Sequence, residues 1–127
     1  MTPGARISAA IEVVEEIEAR KRPAADALKD WGLSHRFAGA KDRAAIGSLV
    51  FDAQRKRASS AFIMGEDTPR TCVLGALRQL REMSAGALAA LCSGEGHAPP
   101  PLNEGEAERL KAGDLTGAPN FVAGDFP

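Results

Sequence analysis

Apolar residues recur every three or four positions along most of this chain, which is the spacing of one face of an α-helix. Two stripes are clearest, one made by Ile7, Ala10, Ile11, Val14 and Ile17 and the other by Val73, Leu74, Leu77 and Leu80. Thr2-Pro3 and Thr68-Pro69 precede these stripes and have the cap-and-proline order that opens helices. The sequence therefore predicts an all-α fold.

Length and composition agree with this interpretation. A chain of 127 residues is long enough for one domain with a single core. Only 5% of the residues are aromatic and there is no tyrosine, which suits closely packed helices better than sheets. We therefore expect one helical domain.

Proline, glycine and capping residues divide the chain into a bundle of about six to seven helices. The predicted helices cover about residues 2–20, 23–32, 41–57, 69–81, 84–93 and 103–111, with a short apolar turn at 61–64. Gly32 is predicted to stop the second helix in the left-handed conformation. The helical domain thus spans 1–112, and 113–127 is interpreted as a linker because its apolar residues have no period.

The third predicted helix has two faces that could pack. At 100° per residue, its main apolar face is made by Ile46, Leu49, Val50 and Ala53. Phe51 projects on the far side, beside Ala44, Gly47 and Ser48, where small residues would let another helix approach. This helix is therefore predicted to be central in the bundle.

Positive charge is concentrated around the same helix. Residues 20–57 carry a net charge of +6, whereas the whole chain carries −1. Arginine and lysine on rigid helix ends can neutralise RNA phosphates, and we expect such contacts from Arg36, Lys41, Arg55 and Lys56. Because no aromatic residues alternate with these cations, the contacts should be mainly to phosphates.

Two structural explanations of the charge remain open. Cations near the end of a helix stabilise its macrodipole. The helical wheel also places Arg43 and Arg57 over the core face, where their stems could cover apolar neighbours. These two are therefore second-choice RNA contacts.

Motifs for catalysis, cofactor binding and metal binding are missing from the sequence. His35 and His97 are isolated, and Gly94-Glu95-Gly96 precedes prolines instead of a helix, so neither a metal site nor a phosphate loop is predicted. Cys72 and Cys92 are expected to be buried thiols. No segment has the length of a membrane span or the pattern of a signal peptide, which favours a cytoplasmic protein.

Three segments resemble a known family. They are Lys41-Asp42-Arg43-Ala44-Ala45-Ile46 with the Leu49 to Arg57 run, Arg22-Pro23-Ala24-Ala25-Asp26-Ala27-Leu28, and Thr68-Pro69-Arg70 before Val73-Leu74-Gly75-Ala76-Leu77. They are similar to NusB-like domains, and more specifically to the amino-terminal domain of Sun/Fmu-type bacterial ribosomal RNA cytosine-C5 methyltransferases. The resemblance implies a NusB-like bundle joined to a separate S-adenosylmethionine domain that holds the catalytic cysteines.

The sequence leads to one preferred function and two alternatives. The preferred hypothesis is a non-catalytic domain that positions ribosomal RNA for a carboxy-terminal methyltransferase domain of the same protein, with no cofactor bound in this chain. One alternative is a module that docks on that domain or on another protein. The other is a free-standing antitermination-type factor, which the linker-like tail disfavours.

Overall fold

Helices are the only regular secondary structure in the part of the chain that is described. The computed structural model of the protein describes residues 1–124, apart from the side chain of Phe121. Its helices are α1 (Pro3–Arg20), α2 (Ala24–Ser34), α3 (Ala40–Arg55), α4 (Arg57–Met64), α5 (Pro69–Leu80), α6 (Ala85–Leu91), α7 (Glu104–Ala112) and α8 (Asn120–Ala123). The prediction of an all-α bundle of about six to seven helices is confirmed, since α8 is only a four-residue turn.

Capping side chains precede α1, α5 and α7 at the positions that the sequence predicts. The Thr2 hydroxyl accepts a hydrogen bond from the Ala5 N–H at 3.1 Å, and the Thr68 hydroxyl accepts one from the Thr71 N–H at 3.1 Å. Asn103 and Glu106 form the predicted capping box of α7. These bonds satisfy backbone N–H groups that have no partner inside the helix.

Helices α1, α3 and α5 form the centre of the bundle. The predicted core face of α3 is confirmed, because Ile46, Leu49, Val50 and Ala53 are all buried. In α5 every residue from Thr71 to Leu77 is buried, as befits a helix with neighbours on several sides. The core is completed by Ala10, Val13 and Val14 of α1, Ile63 and Met64 of α4, Leu88 of α6 and Leu110 of α7.

Helices α4 and α5 approach each other closely. A Cβ atom built at Gly75 would lie 2.8 Å from the Ser60 Cα atom and closer still to its Cβ atom, so only glycine fits there. At Gly47, where the sequence predicts a close helix approach, a built Cβ atom would lie 3.7 Å from Leu28 of α2. That is an ordinary packing distance, so α2 packs beside α3 without requiring glycine there.

The third helix is shorter than predicted. It ends at Arg55, and Lys56 (φ −110°, ψ 23°) is the joint between α3 and α4. The chain changes direction there, which brings Arg57 into ion pairs with Glu18 of α1 and Asp67. Arg57 is therefore the first residue of α4, and the predicted apolar turn at 61–64 is the end of that helix.

The prediction for Gly32 is wrong. Helix α2 continues to Ser34, and Gly32 lies inside it as a buried residue. A built Cβ atom at Gly32 would lie 3.3 Å from the Arg43 Cδ atom, so the glycine gives room to the arginine stem. The helix ends two residues later, at Ser34, and the His35 ring that follows contacts the Trp31 carbonyl through Nδ1 at 2.8 Å.

The segment after α7 returns to the bundle. Gly113 ends α7 in the left-handed conformation, with φ 53°, and Leu115 packs against the core. The short helix α8 then contacts α4. Residues 125–127, where the predicted linker ends, lie outside the described residues, and the linker role of 113–127 stays a prediction.

Candidate nucleic-acid interface

The loop between α2 and α3 brings three basic residues to the amino-terminal end of α3. Arg36 lies in this loop, whereas Lys41 and Arg43 lie in the first turn of α3. The loop begins at His35, whose ring stacks on the Trp31 ring with 4.2 Å between centroids. All three basic residues are exposed. We call them the amino-terminal cations.

The amino-terminal cations are available for an external anion. Among residues 1–124, none of them forms an ion pair with a carboxylate. The neighbouring acid, Asp42, is engaged by the Arg6 guanidinium at 2.8 Å and by the Met1 amine at 3.6 Å. Arginine and lysine without a carboxylate partner can bind phosphate without first breaking an internal bond.

Arg43 differs from its predicted orientation. The wheel places it over the core, but the residue is exposed and only its stem lies over Gly32. The buried residues of α3 pack against α1 and α5, whereas Arg43 lies on the side that faces α2. Helix α2 is short, so part of this side of α3 stays open to solvent. Arg43 is thus as accessible as Arg36 and Lys41.

A groove of about 490 Å³ runs between α2 and α3. Its lining residues are Ala25, Leu28, Lys29 and Trp31 of α2 and Arg43, Ala44, Ile46 and Phe51 of α3. Both charged residues in this lining are cations, and no described carboxylate contributes to it. The acids of α2, Asp26 and Asp30, are not among its lining residues, and Asp30 pairs with Arg22 at 2.5 Å.

Phe51 and Trp31 are the aromatic residues in the lining of this groove, and the Trp31 ring already stacks on the His35 ring. Phe51 is 51% exposed, so part of its ring is open to solvent. The sequence interpretation found no aromatic residue among the cations because it considered alternation along the chain. Folding places Phe51 in the same groove as Lys29 and Arg43, so the surface combines an aromatic ring with positive charge.

Two arginines, Arg55 of α3 and Arg81 after α5, meet near the carboxy-terminal end of α3. The Arg55 guanidinium lies 3.0 Å from one oxygen of Asp52, and the Arg81 guanidinium lies 3.1 Å from the other. Arg81 also donates a hydrogen bond to the Ser48 hydroxyl at 2.9 Å. Two cations share one carboxylate, so a positive charge remains. Arg81 was missed because it follows α5, far from α3 in sequence.

The remaining two predicted RNA contacts, Lys56 and Arg57, are less exposed to solvent. Lys56 lies at the joint between α3 and α4 and is half-buried. Arg57 is bound by carboxylates on both sides, Glu18 and Asp67. The structure therefore does not bring all six predicted residues together: Arg36, Lys41 and Arg43 lie at one end of α3, and Arg55, Lys56 and Arg57 lie at the other.

A larger groove of about 780 Å³ lies on another side of the bundle, beside α1. It is bounded by Ala5, Ser8, Ala9 and Glu12 of α1, by Trp31, His35 and Phe37, and by the 95–98 loop. Phe37 is 74% exposed. The Trp31 indole N–H donates to the Glu12 carboxylate at 3.3 Å. The two carboxylates in this lining, Glu12 and Glu95, make it a poor site for an anion.

The cysteines are buried, as predicted. Cys72 and Cys92 are thiols that are each about 1% exposed, and burial raises the pKa of the Cys92 thiol. Of the described side chains, no group of three or more His, Cys, Asp or Glu is arranged to hold a metal ion. Within residues 1–124, no helix has both the length and the hydropathy that a membrane span needs.

These features define a helical bundle with a basic, partly aromatic face on α2 and α3. Comparison with protein-family models, with curated proteins and with solved structures finds no match to the chain. The resemblance to NusB-like domains is therefore a hypothesis that depends on the three sequence segments quoted above.

Proposed function

We propose that this bundle binds RNA through the face formed by α2 and α3 and has no catalytic role of its own. The observation that carries the proposal is the set of amino-terminal cations, which are exposed and have no carboxylate partner among the described residues. Lys29 extends this positive surface onto α2. A surface of this kind binds by releasing the counterions of the phosphate backbone.

The charge distribution supports an oriented contact. The acidic residues of α1 (Glu12, Glu15, Glu16 and Glu18) lie on a different helix from the amino-terminal cations. The net charge of the chain is only −1, so general attraction to RNA would be weak. RNA should therefore approach by the α2–α3 face and avoid the α1 surface.

The resemblance adds a particular context to this function. We propose that the bundle is the NusB-like amino-terminal domain of a ribosomal RNA cytosine-C5 methyltransferase. It would then hold ribosomal RNA for a catalytic domain in the same protein, which would bind S-adenosylmethionine. A reading frame that continues after Pro127 into a glycine-rich loop and a Pro-Cys motif would support a methyltransferase as the parent protein. A stop codon there would contradict it.

RNA binding is tested directly by fluorescence anisotropy with a labelled ribosomal RNA fragment at increasing salt. The affinity should fall linearly with salt on logarithmic axes, as counterion release requires. Absence of binding at low salt would contradict the proposal. An equal affinity that does not change with salt would also contradict it, because the contact would then not be to phosphates.

A second candidate function is docking on another protein, and the groove beside α1 favours it. The exposed Phe37 ring at an acid-lined groove is typical of a surface that receives a protein partner. The catalytic domain of the same protein is the first partner to test. If removal of residues 1–112 from the parent enzyme leaves RNA affinity intact but lowers its thermal stability, the bundle is a docking module. A free-standing antitermination-type factor is the remaining alternative.

A further inference from the structure

The groove between α2 and α3 combines two aromatic side chains, Phe51 and Trp31, with two cations. Phe51 lines it from α3, and its exposed fraction of 51% leaves a ring face open to a ligand. Lys29 lines it from α2 and Arg43 from the first turn of α3. With no described carboxylate in the lining, the groove suits an anionic occupant.

The dimensions of the groove suit a single nucleotide. A volume of about 490 Å³ is within the usual range of small-ligand sites, roughly 300 to 1,000 Å³. Its lining includes the apolar residues Leu28, Ala44 and the fully buried Ile46 as well as the two cations. A mainly apolar lining with two cations fits a flat base with flanking phosphates.

The surroundings of the groove fit a strand that continues past it. Arg36 and Lys41 lie in the loop and first turn that lead to Arg43, so further positive charge lies at this end of α3. Sites for single-stranded nucleic acid combine such a charged track with aromatic rings on which bases stack. In a duplex the bases are paired and stacked on each other, so they could not enter the groove.

We infer that the groove binds an unpaired base of single-stranded RNA, with the base stacked on Phe51 and its flanking phosphates paired with Arg43 and Lys29. This inference rests on the proposed RNA-binding function and makes it more specific. It changes the expectation of contacts to phosphates alone, because a stacked base would give a preference for unpaired over duplex RNA.

The substitution Phe51→Leu tests the inference because it keeps apolar volume and removes the ring. Phe51→Trp keeps a ring and should retain binding. Phe62→Leu is the matched control: Phe62 is also partly exposed, at 37%, but lies on α4, which packs against α5, α7 and α8. The far-ultraviolet circular dichroism and melting temperature of each variant show whether it folds.

Two measurements follow binding of each variant. Anisotropy gives the affinity for a short single-stranded RNA and for the corresponding duplex. A fluorescent adenine analogue in the single strand reports stacking, because stacking on a ring quenches its emission. Base stacking on one aromatic side chain changes affinity by roughly 5- to 100-fold.

The inference predicts that Phe51→Leu weakens single-strand binding by at least about fivefold, abolishes the quenching and leaves duplex affinity and the salt slope unchanged. Phe62→Leu should behave as the unmodified chain. If the unmodified chain binds RNA with salt dependence but Phe51→Leu binds equally well, the stacking inference is wrong and the proposed function stands.

Two other results would also overturn the inference. If the unmodified chain binds no RNA at low salt, both the inference and the proposed function fail. If Phe51→Leu leaves RNA binding intact but weakens binding of an acidic amphipathic peptide, the groove receives a protein helix instead of a base.

Discussion

Arg70 and Glu106 form a two-point ion pair that joins the first turns of α5 and α7. The Arg70 Nε atom lies 2.8 Å from Glu106 Oε2, and its Nη2 atom lies 3.1 Å from Oε1. The same Nη2 atom donates to the carbonyl oxygen of Pro100 at 2.9 Å. One arginine thus fixes the proline connector and the last long helix against the core.

This pair should make stability depend on pH. The Arg70 guanidinium lowers the pKa of the Glu106 carboxyl below its ordinary value, about 4.3. Because the pKa is lower in the folded state, the contribution is complete above the unfolded value and is lost as pH falls through the folded value. Urea unfolding should therefore show that acidification below about pH 4 destabilises the natural chain more than Glu106→Gln.

Glu106→Gln is suited to this experiment because glutamine can also complete a capping box. At pH 7 the variant should lose about 1–3 kcal/mol of unfolding free energy, as expected for a half-buried charged hydrogen bond. The difference between the two chains should shrink towards low pH. A constant difference at all pH values would show that the ion pair is not its source.

Gly75 should not tolerate a side chain without loss of stability. Gly75→Ala pushes a methyl group into Ser60 and should destabilise the bundle by about 1–3 kcal/mol. Gly47→Ala is the matched control in another helix, where a Cβ atom has normal contact with Leu28 and should stabilise by about 0.5–1 kcal/mol. Thermal and urea unfolding measure the stability of both variants and of the unmodified chain. Equal stabilities would contradict the close α4–α5 contact.

Arg57 should matter for folding and little for RNA. Its carboxylate partners, Glu18 and Asp67, connect α1 and the α4–α5 loop, so Arg57→Gln should cost about 1 kcal/mol of stability. The salt slope of RNA binding should not change, since this cation is already paired. A clear reduction of the slope would instead place Arg57 in the RNA contact.

Local patterns in the sequence were enough to predict most of the helices. The stripe of Ile46, Leu49, Val50 and Ala53 depends on the period of one helix, and those residues are buried as expected. The joint at Lys56 was missed because helical spacing continues on both sides of it. Only the ion pairs of Arg57 with distant residues show why the chain changes direction there.

The candidate site was less predictable than the fold. The positive charge of the segment 20–57 is evident from its composition. The exposure of Arg43, however, depends on how much of α3 the short helix α2 covers. The proximity of Phe51 and Lys29 is a tertiary relationship between helices, so alternation along the chain could not reveal it. Arg81 reaches Asp52 from the end of α5, and no local signal marks it.

The central claim is that the amino-terminal cations bind RNA phosphates. Its most direct measurement is the salt dependence of RNA affinity for the double variant Lys41→Gln/Arg43→Gln. The control is Arg20→Gln/Lys111→Gln, which also removes one arginine and one lysine, but from the end of α1 and from α7.

Both double variants change the net charge equally, so general electrostatics cannot distinguish them. For single-stranded RNA each lost phosphate contact lowers the slope by about 0.7. We predict that Lys41→Gln/Arg43→Gln reduces the slope by about 1 to 1.5 and that the control leaves it unchanged. Equal slopes for the two double variants would contradict RNA binding by this face.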